Sequence, residues 1–230
     1  MNKYIGVSTL ESMSQAGFYN KWTFNKFSKY LRGEILEVGC GTGNFTHTLS
    51  RYGKVTAIDI DQVLIETLEK DNNPNINAGY GNIEKREYFF SKKTFDTIIC
   101  LNVLEHIEND GIALENMYKL LKKGGYLILL VPIHDFLYGE IDKSIGHYRR
   151  YKPKELLKKM SDINYSIGSF QKLNFLGAIG WFISGRILRN KKITEGKIKL
   201  FNLLSPFLFL EDLVEPPIGT SLLVVAKRSK

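Results

Sequence analysis

Three closely spaced glycines and one carboxylate form the first candidate site in the sequence. Gly39, Gly41 and Gly43 follow an apolar run that begins at Glu34. Glycines in such a loop let the backbone turn sharply and let a ligand approach the main-chain N–H groups. Asp59 ends the next apolar run, twenty positions after Gly39, where a carboxylate can accept hydrogen bonds from both hydroxyls of a ribose. This combination predicts a nucleotide-like ligand at the glycine loop.

The glycine spacing and a second carboxylate distinguish between two classes of such ligands. A dinucleotide fingerprint needs its third glycine at the position of Asn44, whereas here that glycine comes one residue earlier, at Gly43. Glu37, two residues before the first glycine, is poorly suited to lie beside a pyrophosphate. It suits a ligand without phosphate that carries positive charge, such as the amino group and sulfonium of S-adenosylmethionine (SAM). The sequence therefore disfavours a nicotinamide dinucleotide.

A second cluster of reactive side-chain types lies between residues 133 and 151, which hold two histidines, three carboxylates, three tyrosines and two arginines. Long polar and aromatic loops in compact domains commonly carry function. His147 is the first candidate for a general base, because histidine titrates near neutral pH. Tyr148, Arg149 and Arg150 are the other catalytic candidates, and the two arginines could clamp a phosphate or carboxylate of an acceptor. The alternative is a hydrogen-bonded lid whose side chains do not touch the substrate.

Apolar runs alternate with helical patterns over the first 132 residues, and this alternation predicts how the candidate residues are positioned. Such alternation is typical of βαβ crossovers around a parallel sheet that is buried on both faces. A helix is also expected from Pro153, because proline is well placed in a first helical turn. The predicted strands cover 34–39, 54–59, 75–78, 95–101, 125–132, 162–171 and 220–227, and the predicted helices before Pro153 cover 8–31, 44–52, 62–70 and 111–122.

Four segments in this order resemble the motifs of class I SAM-dependent methyltransferases. They are ILEVGCGTGNFT, AIDID, FDTIICLNVLEHI and LLKKGGYLILLVP, and the resemblance covers roughly residues 34–132. It implies an α/β fold with a Rossmann-like, doubly wound, seven-stranded sheet that is mostly parallel, has an antiparallel last strand and carries helices on both faces. We expect a single domain over 1–230, with the SAM-binding part in 1–132 and the acceptor side in 133–230.

The same resemblance implies roles for individual residues around SAM as the methyl donor. The loop of Gly39, Cys40, Gly41 and Gly43 would contact the methionine moiety through its backbone, and Glu37 would steady the loop or the amino group. The other implied contacts are Asp59 with the ribose, Ile60, Asn82 and Ile83 with the adenine, and Asn102 beneath the methionine tail.

The C-terminal part predicts an anionic acceptor. Residues 140–230 hold 17 Lys and Arg against 8 Asp and Glu, whereas residues 1–139 hold 15 against 16. A positive field favours an anionic partner, although a solvated lysine-rich surface has the same composition. In addition, GHYRRY (residues 146–151) resembles a signature of bacterial methyltransferases that are linked with cell-surface glycan pathways.

Glu105 and His106 raise the question of a metal site, since some quinone O-methyltransferases of this fold bind metal at this place. Here the earlier acidic position is Asn102, which leaves two ligands in the sequence, and adjacent residues on a helix diverge in direction. Two ligands are too few for a site. The sequence therefore predicts no metal and a fold-stabilising role for this pair.

Two apolar stretches follow, over 173–188 and 198–210, with Lys and Arg in or beside them. They are too short and interrupted to span a bilayer. Burial against the sheet, a lid over the acceptor, a dimer face and peripheral contact with a membrane through 173–210 all remain open. The N-terminus lacks the apolar core of a signal peptide, which predicts a cytoplasmic protein, with peripheral contact at the inner membrane face as an option.

These patterns together predict a methyltransferase that transfers a methyl group to oxygen of an anionic sugar, a lipid-linked glycan intermediate or a small molecule. One alternative is a quinone-like aromatic acceptor or an RNA. A nucleic acid is disfavoured because Asn102 does not begin an N-P-P-Y-type motif. The second alternative is a scaffold protein that binds SAM without turnover.

Overall fold

The computed structural model describes residues 16–190, 195–214 and 216–229, which form one eight-stranded sheet with helices on both faces. The predicted helical region over 8–31 therefore begins outside the described residues. The strands are β1 (Gly33–Val38), β2 (Gly53–Asp59), β3 (Ile76–Asn82), β4 (Glu87–Tyr88), β5 (Phe95–Leu101), β6 (Leu121–Pro132), β7 (Tyr165–Leu173) and β8 (Ser221–Arg228).

The strand order is β4-β3-β2-β1-β5-β6-β8-β7. The pairs among β3, β2, β1, β5 and β6 are parallel, and β8 lies antiparallel between β6 and β7. This confirms the predicted fold class with its antiparallel last strand. The added strand is β4, which pairs antiparallel with the end of β3. Its two residues are too few to show an alternating pattern in the sequence.

Eight α-helices connect and cover the strands in the described part of the chain. The first predicted crossover helix, over 44–52, is reduced to a single turn, while the helix expected at Pro153 begins there. The helices are α1 (Gly17–Phe27), α2 (Thr46–Leu49), α3 (Gln62–Glu69), α4 (Asp110–Leu120), α5 (Glu140–Ser144), α6 (Pro153–Asp162), α7 (Phe175–Trp181) and α8 (Glu195–Leu204).

The sheet separates two hydrophobic cores, because successive side chains of a strand point to opposite faces. In β6, Leu127 and Leu129 lie in one core, and Ile128 and Leu130 lie in the other. Helices α4 and α6 cover the first core, and α1 covers the second. Burial on both faces explains why these strands read as continuous apolar runs.

The parallel pairing aligns the carboxyl ends of three strands. In the register of the sheet, Val38 of β1 lies opposite Ile58 of β2 and Cys100 of β5. The glycine loop, Asp59 and Asn102 follow these positions directly in the chain. Ligands of open α/β sheets bind at this edge.

No helix in the described ranges is both long and apolar enough to cross a membrane.

Candidate functional site

The glycine loop is fixed by backbone hydrogen bonds to the end of β2. The Gly39 N–H donates to the Ile58 carbonyl at 2.7 Å, and the Gly41 N–H donates to the Asp59 carboxylate at 2.9 Å. Gly39 and Gly41 have φ values of +74° and +53°, in the left-handed region that favours glycine. A Cβ on Gly39 would lie 2.3 Å from Val103 Cγ2, so no side chain fits there.

Asp59 joins the glycine loop to the start of α3. While one carboxylate oxygen accepts from Gly41, the other accepts from the Asp61 N–H at 3.0 Å. Burial raises the pKa of Asp59, and these backbone hydrogen bonds oppose the rise. Each oxygen retains a lone pair for a further donor. The next side chain, Ile60, is 68% exposed, so it is open to a flat apolar ligand.

Glu37 is buried beneath the glycine loop, where its side chain is bonded to α2. The Thr46 hydroxyl donates to Glu37 Oε2 at 2.6 Å. Burial raises the pKa of Glu37 to about 8, and the negative charge of Asp59 adds to the rise. A cationic group beside Glu37 would lower this pKa again. The carboxyl group is therefore poised to ionise when a positively charged ligand occupies the loop.

The remaining predicted cofactor residues differ in how far they can reach a ligand. Asn102 is exposed at the end of β5 with φ +54°, and its N–H donates to the Leu130 carbonyl. The Asn82 amide oxygen already accepts from the Lys85 N–H at 3.0 Å. The expected contact of Ile83 with the adenine needs correction, because the Ile83 side chain packs in the first core. Cys40 is buried, and burial raises the pKa of its thiol, which keeps the thiol neutral.

A buried carboxylate, Asp142 in α5, organises the acceptor side. Its Oδ1 lies 2.9 Å from His147 Nδ1 and accepts from Arg150 Nε at 2.9 Å. Its Oδ2 accepts from Trp181 Nε1 and from the Gly139 N–H, both at 3.0 Å. Burial alone would raise the pKa of Asp142, but the His147 hydrogen bond and the Arg150 charge hold it below its usual range. Asp142 is therefore ionised and accepts hydrogen bonds only.

The ionised Asp142 fixes the tautomer of His147. A carboxylate has no proton to give, so His147 Nδ1 carries the hydrogen of this bond, and in the neutral ring Nε2 is the nitrogen with the lone pair. That Nε2 lies 3.7 Å from Glu105 Oε1, and the ring meets the His106 ring edge-on at a centroid distance of 4.6 Å. Burial raises the pKa of Glu105 to about 7.

The predicted arginine clamp needs correction, because both guanidinium groups bind the protein itself. Arg149 donates to the carbonyl oxygens of Ile107 and Glu108 at 3.1 and 2.8 Å and lies 3.3 Å from an Asp110 oxygen. Arg150 is buried, and it also donates to the Ile133 carbonyl and lies over the Trp181 ring. The two arginines therefore fit the alternative, in which this loop forms a hydrogen-bonded lid whose side chains do not touch the substrate.

Tyr148 places its side chain differently from the two arginines. Its backbone N–H donates to the Glu105 carbonyl at 2.9 Å, while its ring is exposed to solvent and lies against the Arg149 guanidinium. It thus joins the lid to the turn after β5.

Glu105, His106 and His147 form a group that the sequence reasoning did not anticipate. One ligand atom from each lies within 4.8 Å of the others. Two of their buried atoms, Glu105 Oε2 and His106 Nδ1, have no hydrogen-bond partner among the described residues. Burial, followed by the nearby His147, lowers the pKa of His106 to about 4, so this ring is neutral. The third member, His147, follows His106 by 41 positions in the sequence. No local sequence pattern reveals a partner at that separation.

An aromatic wall begins at the end of β6, which sequence reasoning treated only as part of the loop. The ring of His134 stacks on Phe136 at 5.3 Å, and Phe136 meets Phe182 edge-on at 6.4 Å. His134 has φ +70°, and its Nε2 is buried without a partner. The acceptor side is therefore lined by flat rings as well as by the Asp142 network.

The strand order, the glycine loop and Asp59 at the end of β2 define a Rossmann-like methyltransferase fold of class I. Residues 36–129 match the family described as "Methyltransferase domain". The chain is 32% identical to a ubiquinone biosynthesis O-methyltransferase of Rickettsia canadensis, over 71% of this chain and 75% of that protein. It is 30% identical to the protein of the same name from Rickettsia typhi, over 77% of each. For those of Rickettsia akari and Rickettsia conorii, the chain spans 61% and 53% of their lengths.

Solved structures show the same fold. A methyltransferase from Bacillus halodurans superimposes with a TM-score of 0.59 at 20% identity, covering 87% of this chain and 94% of that one. The N-methyltransferase NodS from Bradyrhizobium japonicum, in complex with S-adenosylhomocysteine, gives 0.58 at 16% identity and covers 91% and 85%. The chain belongs to the family of SAM-dependent methyltransferases. The link to glycan pathways through GHYRRY stays a prediction.

Replacing Glu37 by Gln should remove a pH dependence of stability. The folded-state pKa of about 8 exceeds the ordinary value of 4.5, so the folded state holds the proton more tightly between these values. The free energy of unfolding of the ligand-free protein therefore falls as pH rises through this window, by up to about 1.4 kcal/mol per pH unit. Urea unfolding at several pH values measures this slope. The slope should become smaller by this contribution in Glu37→Gln, while Glu105, whose pKa is also raised by burial, keeps its own contribution in both proteins. It should be unchanged in Glu66→Gln, an exposed control on α3; parallel profiles for wild type and Glu37→Gln would contradict the burial argument.

Proposed function

We propose that this chain methylates a hydroxyl oxygen on a quinone-like aromatic acceptor, with SAM as the methyl donor. The observation that carries the proposal is the engagement of Arg149 and Arg150 within the protein, which removes the expected clamp for an anionic sugar. The relatives named ubiquinone biosynthesis O-methyltransferases support the same acceptor class. The earlier preference for an anionic sugar or lipid-linked glycan thus gives way to its alternative.

The aromatic wall suits a planar acceptor. Phe136, with His134 stacked on it and Phe182 at its edge, offers ring faces and edges against which an aromatic ring packs favourably. Apolar and aromatic linings with a few polar groups are typical of small-molecule sites. The Asp142–His147 pair is joined to this wall through Trp181, which donates to Asp142 and precedes Phe182 in the chain.

Methyl transfer to a phenolic oxygen requires removal of a proton. A phenol has a pKa of about 10, so it is mostly protonated near neutral pH. Asp142 holds His147 through Nδ1, and Nε2 of the neutral ring would accept the proton. The acceptor oxygen would then attack the methyl carbon, the carbon–sulfur bond would break, and S-adenosylhomocysteine would leave. Because the sulfonium is a good leaving group, alignment of acceptor and methyl accounts for most of the catalysis.

The group of Glu105, His106 and His147 also fits a divalent cation. A carboxylate and two imidazoles are a common donor set for zinc and related metals, and two of the buried donor atoms lack partners. Histidines that bind metals usually donate their other N–H to a carboxylate, as His147 does to Asp142. A cation there would supply Lewis acidity that lowers the pKa of an acceptor hydroxyl. The same lone pair of His147 would then bind the cation and no longer accept the proton.

Transfer of a labelled methyl group from SAM to a panel of acceptors tests the proposal. We expect methylation of a catechol-type aromatic, with none of a uronic-acid sugar nucleotide or of RNA. His147→Gln should lower kcat/KM about 100-fold or more, since a positioned base or ligand contributes on this scale. His47→Gln, on an exposed histidine of α2, should not change it. Methyl transfer to the sugar nucleotide alone would support the anionic sugar acceptor that the sequence predicts. Cofactor binding without any methyl transfer would favour the scaffold alternative.

Titration of the chelator-treated protein with Zn²⁺ or Mn²⁺ tests the cation site separately from activity. We expect one ion per chain and a raised Tm, both lost in His106→Asn and kept in His47→Asn. Binding that is absent in the wild type, or unchanged in His106→Asn, would leave Glu105 and His106 with the fold-stabilising role that the sequence predicts.

A further inference from the structure

Two helical segments at the C-terminal side expose many of their large apolar side chains. In α7 and the π-helical turn Phe182–Ile187, the buried residues are Ala178, Ser184 and Gly185. A helix that packs on a core shows the opposite arrangement. The exposed residues of this segment are Ile179, Phe182, Ile183, Ile187 and Leu188.

Exposed apolar side chains continue through α8 and the 3-10 helix Ser205–Asp212. Ile198, Ser205 and Leu208 are buried, whereas the outward positions 200, 203, 204 and 207 follow helical spacing and are all Leu or Phe. We call the described residues 175–190 and 195–214 the apolar cap. Its exposed apolar residues in this second half are Leu200, Leu203, Leu204, Phe207, Phe209, Leu210, Leu213 and Val214, which are 38% to 77% exposed.

Apolar side chains at this density mark an interaction surface. Single exposed apolar residues are normal on protein surfaces, whereas contiguous patches indicate a partner or a membrane. The large apolar residues that the rest of the described chain exposes are spread over several elements, such as Val63 on α3 and Ile112 on α4. The apolar cap is therefore the part of the surface that most requires a cover.

The charged residues of the apolar cap indicate which kind of partner covers it. Arg186, Arg189 and Lys199 are exposed on the apolar cap. Of the acidic residues of the cap with described side chains, Glu211 accepts from the backbone N–H groups of Asn174 and Phe175, and Asp212 pairs with Lys26 of α1. The sequence adds Lys191 and Lys192 next to the cap, outside the described residues. Apolar side chains interspersed with cations are the pattern that binds an anionic lipid surface.

A second copy of the chain fits this surface less well. A twofold interface places the same patch on both partners. It would therefore bring the arginines and lysines of one cap against those of the other, and like charges that face each other cost free energy. An anionic bilayer satisfies both the apolar and the cationic side chains.

The apolar cap is continuous with the acceptor side. Phe182 meets Phe136 of the aromatic wall, Trp181 donates to Asp142, and the Arg186 guanidinium donates to the Tyr138 carbonyl at 3.3 Å. Contact of the cap with lipid would bring the acceptor side next to the bilayer.

We propose that the apolar cap docks the protein on the surface of an anionic lipid bilayer. This inference goes beyond the proposed acceptor chemistry and does not depend on it, because the cap itself carries the binding. If the acceptor is a hydrophobic aromatic dissolved in the bilayer, docking also delivers it to His147.

Co-sedimentation of the full chain with vesicles tests the docking. We expect binding to vesicles that contain phosphatidylglycerol, weak binding to pure phosphatidylcholine, and release at high salt. The double variant Leu203→Ser/Phe207→Ser should weaken binding at least tenfold, and Arg189→Glu/Lys199→Glu should remove the preference for anionic lipid. The matched controls Val63→Ser, on an exposed residue of α3, and Lys123→Glu, on an exposed residue of β6, should bind as the wild type does.

Three further measurements distinguish lipid docking from misfolding and from dimer formation. Each variant should still bind S-adenosylhomocysteine, which shows that it is folded, and should methylate a water-soluble acceptor as the wild type does. Light scattering should give a monomer in the absence of lipid. Absence of vesicle binding, or binding equal for both lipids, would overturn the proposal, and so would a wild-type dimer that Leu203→Ser/Phe207→Ser dissociates.

Discussion

The parallel pairing of β1 with both β2 and β5 is the constraint on which the site depends. Their registers bring Val38, Ile58 and Cys100 to one level, so the chain leaves all three strands at the same edge. The glycine loop can then rest on β2 through the Ile58 carbonyl and the Asp59 carboxylate. A shift of one residue would turn every core side chain of a strand to the opposite face, so the buried cores protect this register. The cofactor loop is therefore held by the cores of the whole sheet.

A second buried carboxylate plays the corresponding part on the acceptor side. Asp142 collects donors from His147, Arg150, Trp181 and the Gly139 backbone, which belong to three different segments. Charge-assisted hydrogen bonds of this kind are stronger than neutral ones, and breaking a buried ion pair is costly. This network therefore joins the loop after β6 to the start of the apolar cap. Arg150 balances the negative charge of Asp142 and helps to position it. From the sequence, the same arginine was expected to contact the substrate.

The sequence predicted the fold class, seven of the eight strands and the glycine loop because these depend on local patterns: apolar periodicity, the spacing of glycines and the distance from Gly39 to Asp59. It did not predict the partners of Arg149 and Arg150, since a basic side chain in a loop has the same appearance whether it binds a substrate or a carbonyl oxygen. His147 beside Glu105 and His106 was equally hidden, because only tertiary folding brings the turn after β5 and the segment after α5 together. The outward-facing side chains of the apolar cap could not be predicted either, since an apolar helix that faces the core and one that faces outward share one composition.

Calorimetric titration with S-adenosylhomocysteine tests whether the glycine loop and Asp59 bind SAM. We expect micromolar binding of one molecule per chain, loss of that binding in Asp59→Ala, and no binding of NAD. Asp71→Ala, on an exposed carboxylate after α3, serves as the matched control and should bind as the wild type does. Wild-type protein that ignores S-adenosylhomocysteine, or that binds NAD tightly instead, would contradict the account.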